Sequence, residues 1–288
     1  MTNLTKKSLV SASIILEVNK MPIITKIALA KRRKDRLHIY IDRGNGEEYA
    51  FTVSEDLFVK RQFSKGMQLS EEDILKIRQE DVLDKAFQKT LNYLSYRMRS
   101  EKEVLQYLRE QDVGNEDAAP LMERLRELSF LNDSAFANAF VRTKMNSQKK
   151  GPRLIEQELF EKGVSRKNVD TAMSEYSLEE QLDNAILCVE KKQSSYKSDG
   201  YRKKQQKLLQ FLIQRGFTNE IAKQALLESN VEENENMEWD AVRKQGEKAL
   251  KKYKSYDGWE KEQRIKQYLF SRGFSIELIY SWLQEEEE

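Results

Sequence analysis

The chain has 288 residues, of which 39% are hydrophobic and 34% charged, with a net charge of +2. Few apolar and many charged residues are typical of elongated helical proteins with thin cores. One cysteine and one histidine exclude an internal disulfide and the usual zinc clusters. No apolar run approaches the ~20 residues of a membrane span, and the first twenty residues lack a signal-peptide pattern. We therefore expect a cytoplasmic protein.

The N-terminal part predicts a small β-containing module at residues 21–69. Three short runs rich in β-formers, 23–29, 37–41 and 49–53, are separated by a basic stretch and a glycine-containing turn. This pattern indicates a three-stranded meander. The preceding residues, 1–20, have little to pack with, so we expect a disordered extension or an upstream start codon chosen in place of the real one.

From Ser70 onward the sequence predicts only helices and turns. Serine followed three residues later by an acid marks a helix start, and the sequence has this pattern at Ser70, Ser100 and Ser177. Asn132 is a further N-cap candidate. Pro152, directly after a glycine, suits a first helical turn.

A seven-residue phrase recurs four times in the helical region. The copies are residues 107–113, 158–164, 211–217 and 268–274, and their leucines are spaced by 51, 53 and 57 residues. In each copy an apolar helix ends, one residue takes a left-handed conformation, an apolar residue packs back, and a new helix starts. The residues predicted to be left-handed are Asp112, Gly163, Gly216 and Gly273.

This period predicts a mainly α fold, an elongated array of tandem three-helix repeats behind the small β-containing N-terminal module. The predicted limits are 70–146 for repeat 1, 147–197 for repeat 2, 198–254 for repeat 3, and 255–288 for a partial repeat 4 with an acidic tail. Such arrays bind long or large partners, and the sequence has no catalytic constellation or phosphate-cradling loop. We expect a protein that is not an enzyme and holds no cofactor or metal.

Basic residues concentrate at helix junctions, most densely in residues 142–153 and 191–207. The first stretch has five bases and no acid, which we interpret as a surface for an outside partner. The second interleaves Tyr196 and Tyr201 with its bases, a composition that suits single-stranded nucleic acid but equally a solvated connector. The predicted contact residues are Arg97, Arg99, Lys102, Arg142, Lys144, Lys149, Lys150, Arg153, Lys162, Arg166, Lys191, Lys192, Arg202, Lys203 and Lys204.

Buried roles explain other conspicuous residues. Cys188 lies within an apolar run and is predicted to be a small core residue. Phe136 is spaced as on an apolar helix face. The three tryptophans are predicted to pack within the repeats: Trp239, Trp259 and Trp282.

Three blocks, residues 93–103, 131–142 and 150–163, resemble in their order and spacing the RecX family of recombination regulators. The β-rich segment and the extra C-terminal repeats are similar to the form found in Gram-positive bacteria, and the resemblance covers roughly residues 21–284. The family often has two aspartates where this chain has Asn132 and Asp133. Either residue can cap a helix.

The resemblance implies a non-enzymatic modulator of RecA in homologous recombination, DNA repair and the SOS response. Family members bind along the groove of the RecA–single-stranded-DNA filament and inhibit its growth, its ATPase and its strand exchange. The implied partners are the RecA filament and single- or double-stranded DNA, with no membrane, and we expect a monomer. Two alternatives stay open: a nucleic-acid-binding protein that only competes for DNA, and a helical scaffold for some other protein.

Overall fold

The computed structural model describes residues 21–31, 35–229 and 235–287, so the expected disorder of residues 1–20 lies outside the described part. Within it the chain forms a three-stranded antiparallel sheet and thirteen α-helices. The helices and strands divide into two compact units, Met1–Leu131 and Asn132–Glu288.

The first unit opens with the predicted meander. Strands β1 (Ile23–Leu29), β2 (Arg36–Asp42) and β3 (Glu47–Ser54) pair in chain order, and helices α1 (Glu55–Arg61) and α2 (Glu71–Ser95) follow. One face of the sheet and the first half of α2 share a hydrophobic core. A buried ion pair between β2 and α2 reinforces this contact.

The remaining elements are helices, and their starts follow the predicted caps. Ser70, Ser100 and Ser177 each form a complete capping box, and the Asn132 side chain accepts a hydrogen bond from the Ala135 amide. The helices are α3 (Glu101–Glu110), α4 (Asn115–Glu127), α5 (Asp133–Asn146), α6 (Pro152–Glu161), α7 (Arg166–Met173), α8 (Leu178–Gln193), α9 (Tyr201–Gln214), α10 (Asn219–Glu228), α11 (Glu235–Lys252), α12 (Gly258–Ser271) and α13 (Ile276–Glu287).

The buried side chains group these helices in threes. The second half of α2 packs with α3 and α4, and the second unit contains the groups α5–α7, α8–α10 and α11–α13. The predicted limit at 146/147 separates α5 from the two helices with which it shares a core. The limit at 254/255 likewise separates α11 from α12 and α13, so the fourth group has three helices. The repeated phrase marks the end of each middle helix. It does not indicate which preceding helix shares a core with that middle helix.

Most predicted core residues are buried, with one error. Phe136 is 4% exposed and Cys188 is 7% exposed, as expected. Trp282 is fully buried and Trp239 packs against the same core. Trp259 is 74% exposed, so its predicted packing role is wrong. It follows Gly258 at the start of α12, where nothing in the described chain covers it.

The left-handed residues of the repeated phrase are confirmed, with φ of 60° at Asp112, 80° at Gly163, 92° at Gly216 and 88° at Gly273. Each ends the middle helix of its group. Aspartate is one of the few residues with a side chain that tolerates this conformation, because its short polar group bonds locally. The repeat therefore rests on backbone conformation more than on side-chain identity.

Backbone hydrogen bonds join the second three-helix group to the third. The Gly151 amide donates to the Arg215 carbonyl at 2.8 Å, and the Arg153 amide donates to the Gly216 carbonyl at 3.1 Å. A Cβ atom added to Gly151 would lie 2.5 Å from the Gly216 carbonyl oxygen. The start of α6 can approach the end of α9 this closely only because residue 151 has no side chain.

The same joint recurs between the third and fourth groups. The Gly200 amide donates to the Arg272 carbonyl at 3.0 Å, and a Cβ atom on Gly200 would lie 2.5 Å from the Gly273 carbonyl carbon. The residue at the corresponding N-cap of α12 is Asp257. Asp257 therefore carries a side chain at the position that both joints occupy with glycine.

Substituting Gly200 with alanine tests the joint. The methyl group would overlap main-chain atoms, so the two groups must separate, and we expect the free energy of unfolding to fall by about 1–3 kcal/mol. Gly114→Ala is the matched control, because Gly114 is also an N-cap with φ of −64°, against −66° at Gly200, and nothing lies within 4 Å of an added Cβ. The measurement is denaturant unfolding followed by circular dichroism. Equal midpoints for the two variants would contradict the joint.

Substituting Gly163 with valine tests the left-handed helix end. A β-branched residue with φ of 80° is strained by about 1–3 kcal/mol, so the denaturation midpoint should fall. Gly163→Asn should lose less, because asparagine tolerates the left-handed region. If the Gly163→Val and Gly163→Asn variants unfold at the same midpoint as the parent, the left-handed conformation at residue 163 does not require glycine.

Candidate nucleic-acid and protein interface

Cationic side chains from three separate stretches of sequence meet at the joint between the second and third groups. They come from the end of α5 and the turn after it, from the last turn of α8, and from the end of α9. We call this set the junction cluster; its members are Lys144, Lys149, Lys150, Lys191, Lys192 and Arg215.

Arg215 holds the turn that follows α5. Its Nε lies 3.3 Å and its Nη2 lies 3.2 Å from the Lys149 carbonyl oxygen, and Nη2 also donates to the Gln148 carbonyl. Lys149 itself has φ of 51°, a conformation that costs a residue with a side chain roughly 1 kcal/mol. The guanidinium group therefore stabilises a strained turn that presents two lysines.

Phe211 brings the ends of α8 and α9 together. The Arg215 Cζ lies 5.5 Å and the Lys192 Nζ lies 5.7 Å from the centre of its ring. A cation within about 6 Å of an aromatic ring is attracted to the ring's electrons. The ring thus holds two cations near each other that would otherwise repel.

Glu158 is the carboxylate that the cluster encloses on α6. Lys144 Nζ lies 3.1 Å from it, and Lys150 forms a shorter ion pair with it. Partial burial acts to raise the pKa of Glu158, but hydrogen bonds from Lys150 and Lys144 outweigh burial and hold the pKa below its usual range. One carboxylate neutralises part of a six-cation cluster, which leaves a local positive excess.

Cys188 lies beneath these cations and is inert. Its thiol contacts the Lys149 carbonyl at 3.6 Å. Burial raises the pKa of the thiol, although the charges of Arg215, Lys191 and Lys149 act in the opposite direction. The thiol is therefore protonated at neutral pH, which argues against a nucleophilic role.

Several predicted contact residues have partners within the chain. Arg142 bonds Glu175 at 2.8 Å. Helices fold carboxylates back onto Arg142, Lys144 and Lys150, which have no acid within their own stretch of sequence. That these three residues also contact an outside partner stays a prediction. Exposed pairs of this kind contribute only about 0–1 kcal/mol, so an incoming phosphate or carboxylate can replace Glu175.

Apart from those at the second joint, the other predicted residues lie in three places. In the first unit Arg97 bonds Glu103 at 2.8 Å, and the Arg99 Cζ lies 4.0 Å from the Tyr93 ring centre, beside exposed Lys102. At the turn after α6, half-buried Lys162 precedes Arg166, which bonds Asp170 at 2.9 Å. Arg153 is exposed at the start of α6.

The second joint is more nearly neutral than the first. Buried Asp199 binds Lys207 at 2.5 Å and lies 3.6 Å from Arg272. Burial lowers the pKa of Lys204, and the charge of Glu238 counters this in part. Arg202 is exposed and Lys203 half-buried at the same helix start. We therefore place the candidate interface at the first joint.

Arg215 was not among the predicted contact residues, although a signal for it exists. The residue before the left-handed glycine is basic in three copies of the phrase, as Lys162, Arg215 and Arg272. A base there also suits the negative end of the helix dipole, so the pattern alone gives no reason to expect a contact with a neighbouring group. The guanidinium contact becomes visible only once the joint is known.

Among the residues the structure describes, no group of three or more His, Cys, Asp or Glu side chains could hold a metal ion. None of the described helices is long and apolar enough to cross a membrane.

Family models match almost every part of the chain that has been described. A model for the N-terminal domain of regulatory protein RecX matches residues 22–70, and models for the first and second three-helix domains of RecX match 86–125 and 132–173. The model for the third three-helix domain matches twice, at 179–226 and 236–283. These limits follow the groups of three helices that share a core.

Relatives and solved structures agree with these matches. The chain is 38% identical over 264 residues to the regulatory protein RecX of Bacillus cytotoxicus, covering 92% of this chain and 98% of the relative. It is 35% identical over 268 residues to that of Bacillus cereus, covering 93% and 99%. A crystal structure of regulatory protein RecX, 33% identical, superposes with a TM-score of 0.63 over 72% of this chain and all of that one. The chain therefore belongs to the RecX family of regulatory proteins.

Proposed function

We propose that this protein binds the RecA–single-stranded-DNA filament in the cytoplasm and inhibits RecA ATPase, filament growth and strand exchange. It acts as a monomer, without a cofactor and without chemistry of its own. Two observations support the proposal: family membership along almost the whole chain, and a six-cation cluster built at a joint between three-helix domains.

The junction cluster suits a polyanionic partner. Its cations lie on three helix ends that the backbone joint holds in fixed positions, so little backbone ordering remains to be done on binding. Arginine and lysine together can bind phosphates or protein carboxylates. A RecA–DNA filament presents both phosphates and protein carboxylates, so one cationic surface can bind DNA and protein together.

Tandem domains strengthen weak contacts. When one domain binds, the next is held near its own site at a high effective concentration, and the overall affinity exceeds that of any single contact. The second unit contains three such domains, joined in sequence by two glycine joints. Inhibition would then arise by bridging neighbouring RecA protomers and restricting their motion.

Competition for DNA is the alternative mechanism. The positive charge of the junction cluster supports it as well as it supports binding to the filament. A protein that only occupies DNA must cover the strand stoichiometrically, and added single-stranded DNA relieves its effect. A filament-binding protein inhibits at amounts far below one per RecA protomer. Salt dependence is a second discriminator, because DNA phosphate contacts give a steep linear dependence of log affinity on log salt.

Charge reversal at Lys149, Arg153 and Lys191 should weaken inhibition of RecA ATPase by at least about tenfold in the half-inhibitory concentration, because interface cations that lose their partners cost one to several kcal/mol. Lys150 is left unchanged, since a carboxylate there would face Glu158 and disturb the fold. The measurement is ATPase on single-stranded DNA across a protein titration at fixed salt.

The matched control reverses Lys244, Lys248 and Lys254, which are exposed in the fourth three-helix domain and give the same change in net charge. It should inhibit like the parent. Circular dichroism checks that both triple variants are folded. If the Lys149, Arg153 and Lys191 variant is folded and inhibits as well as the control, the junction cluster and the neighbouring Arg153 form a solvated surface and not the interface.

A further inference from the structure

The N-terminal sheet has a second face that the core does not use. Cross-strand pairing places Lys26, Tyr40 and Tyr49 in one row, and Ala28, His38 and Thr52 in the next. Neither row contributes to the buried core of the module, which is built from the alternate residues of the strands. We call the set Lys26, His38, Tyr40, Tyr49 and Thr52 the outer sheet face.

Three rings cluster on this face. The ring centres of Tyr40 and Tyr49 are 6.0 Å apart, and those of His38 and Tyr49 are 5.8 Å apart, both edge to face. Thr52 Oγ1 hydrogen-bonds His38 Nδ1 at 2.6 Å and Tyr49 Oη at 2.8 Å. These bonds hold the His38 and Tyr49 rings in place before any partner arrives, so a binding event does not have to order those two rings.

A cation and open ring surface accompany the cluster. Lys26 Nζ lies 5.1 Å from the Tyr40 ring centre, and the lysine side chain is 55% exposed. Its nearest carboxylate is that of Glu47 at 3.9 Å, also exposed, so the pair is weak. Tyr49 is 55% exposed. Large aromatic surface is therefore left in water beside a mobile positive charge.

Sheet stability does not account for this arrangement. A cross-strand aromatic pair contributes roughly 0.2–1 kcal/mol, which could explain Tyr40 with Tyr49. A cation–π contact of about 0.5–1 kcal/mol could likewise explain Lys26 over Tyr40. Neither contribution requires the third ring. A docking site for an apolar protein surface is also a poor fit, because Ala28 is the one aliphatic residue of the two rows.

We propose that the outer sheet face binds single-stranded nucleic acid, with bases stacking on Tyr40, Tyr49 and His38 and Lys26 contacting a phosphate. Several sheet-based modules bind unpaired bases by stacking them on aromatic rings of an antiparallel sheet, with cations nearby to contact the phosphates. Every base has a π-face, so such a site is tolerant of sequence. Bases inside a duplex are already stacked on each other, so the site prefers single strands.

This site is distinct from the junction cluster and does not depend on RecA. The proposal requires that the N-terminal module itself binds single-stranded DNA. The RecA ATPase assay therefore tests the proposed function separately, and either conclusion can fail while the other holds.

The experiment measures fluorescence anisotropy of a labelled oligothymidylate of about 16 nucleotides with the full-length protein. The double substitution Tyr40→Ala and Tyr49→Ala should weaken binding by about tenfold or more, because each lost base stack is costly. Tyr40→Phe with Tyr49→Phe keeps both rings, loses the hydrogen bond from Tyr49 to Thr52, and should bind much more tightly than the alanine pair. The alanine pair should leave the salt slope unchanged, whereas Lys26→Ala should lower its magnitude by about 0.7.

Photo-crosslinking of the parent to bromouracil-containing single-stranded DNA gives a result that needs no variant. Mass spectrometry should find cross-links at Tyr40, Tyr49 or His38. The inference is overturned if the parent does not bind the oligonucleotide, if the folded alanine variant binds as well as the phenylalanine variant, or if cross-links form only outside the sheet.

Discussion

The backbone joint between successive three-helix domains is the constraint on which the candidate interface depends. An N-cap glycine of one domain donates its amide to the carbonyl of the C-cap residue after the next domain's middle helix, at a distance that leaves no space for a Cβ atom. Lys149 and Lys150 directly precede Gly151, and Arg215 directly precedes Gly216. The glycines that allow close approach therefore also decide where the cations lie. A larger residue at Gly151 would move the cluster as well as weaken the array.

Local signals in the sequence predicted much of the fold. The capping boxes at Ser70, Ser100 and Ser177 are local, because both hydrogen bonds lie within four residues. The left-handed residue that ends each middle helix is also a local requirement, which is why the phrase remains recognisable although its side chains vary. Short runs of β-forming residues, bounded by a basic stretch and a glycine-containing turn, were sufficient to place the three strands.

The long-range features could not be predicted in this way. Glu158 lies beyond the stretch of five bases, and only the return of α6 brings it to Lys144 and Lys150. Arg142 meets Glu175 through packing of α5 with α7. The domain limits depended on which helix shares a core with which, and the exposure of Trp259 depended on how the described helices pack around the start of α12. In each case the outcome depends on the packing of helices against each other and not on the residues within one helical turn.

In the proposed function the binding surface lies at a domain junction, and both RecA and DNA contribute to the affinity. The most direct test is co-sedimentation of the protein with RecA–single-stranded-DNA filaments assembled with a non-hydrolysable ATP analogue, compared at equal salt with RecA alone and with naked single-stranded DNA. The account predicts tighter binding to the filament than to either component. Equal affinity for the filament and for naked DNA would contradict it and would leave competition for DNA as the mechanism.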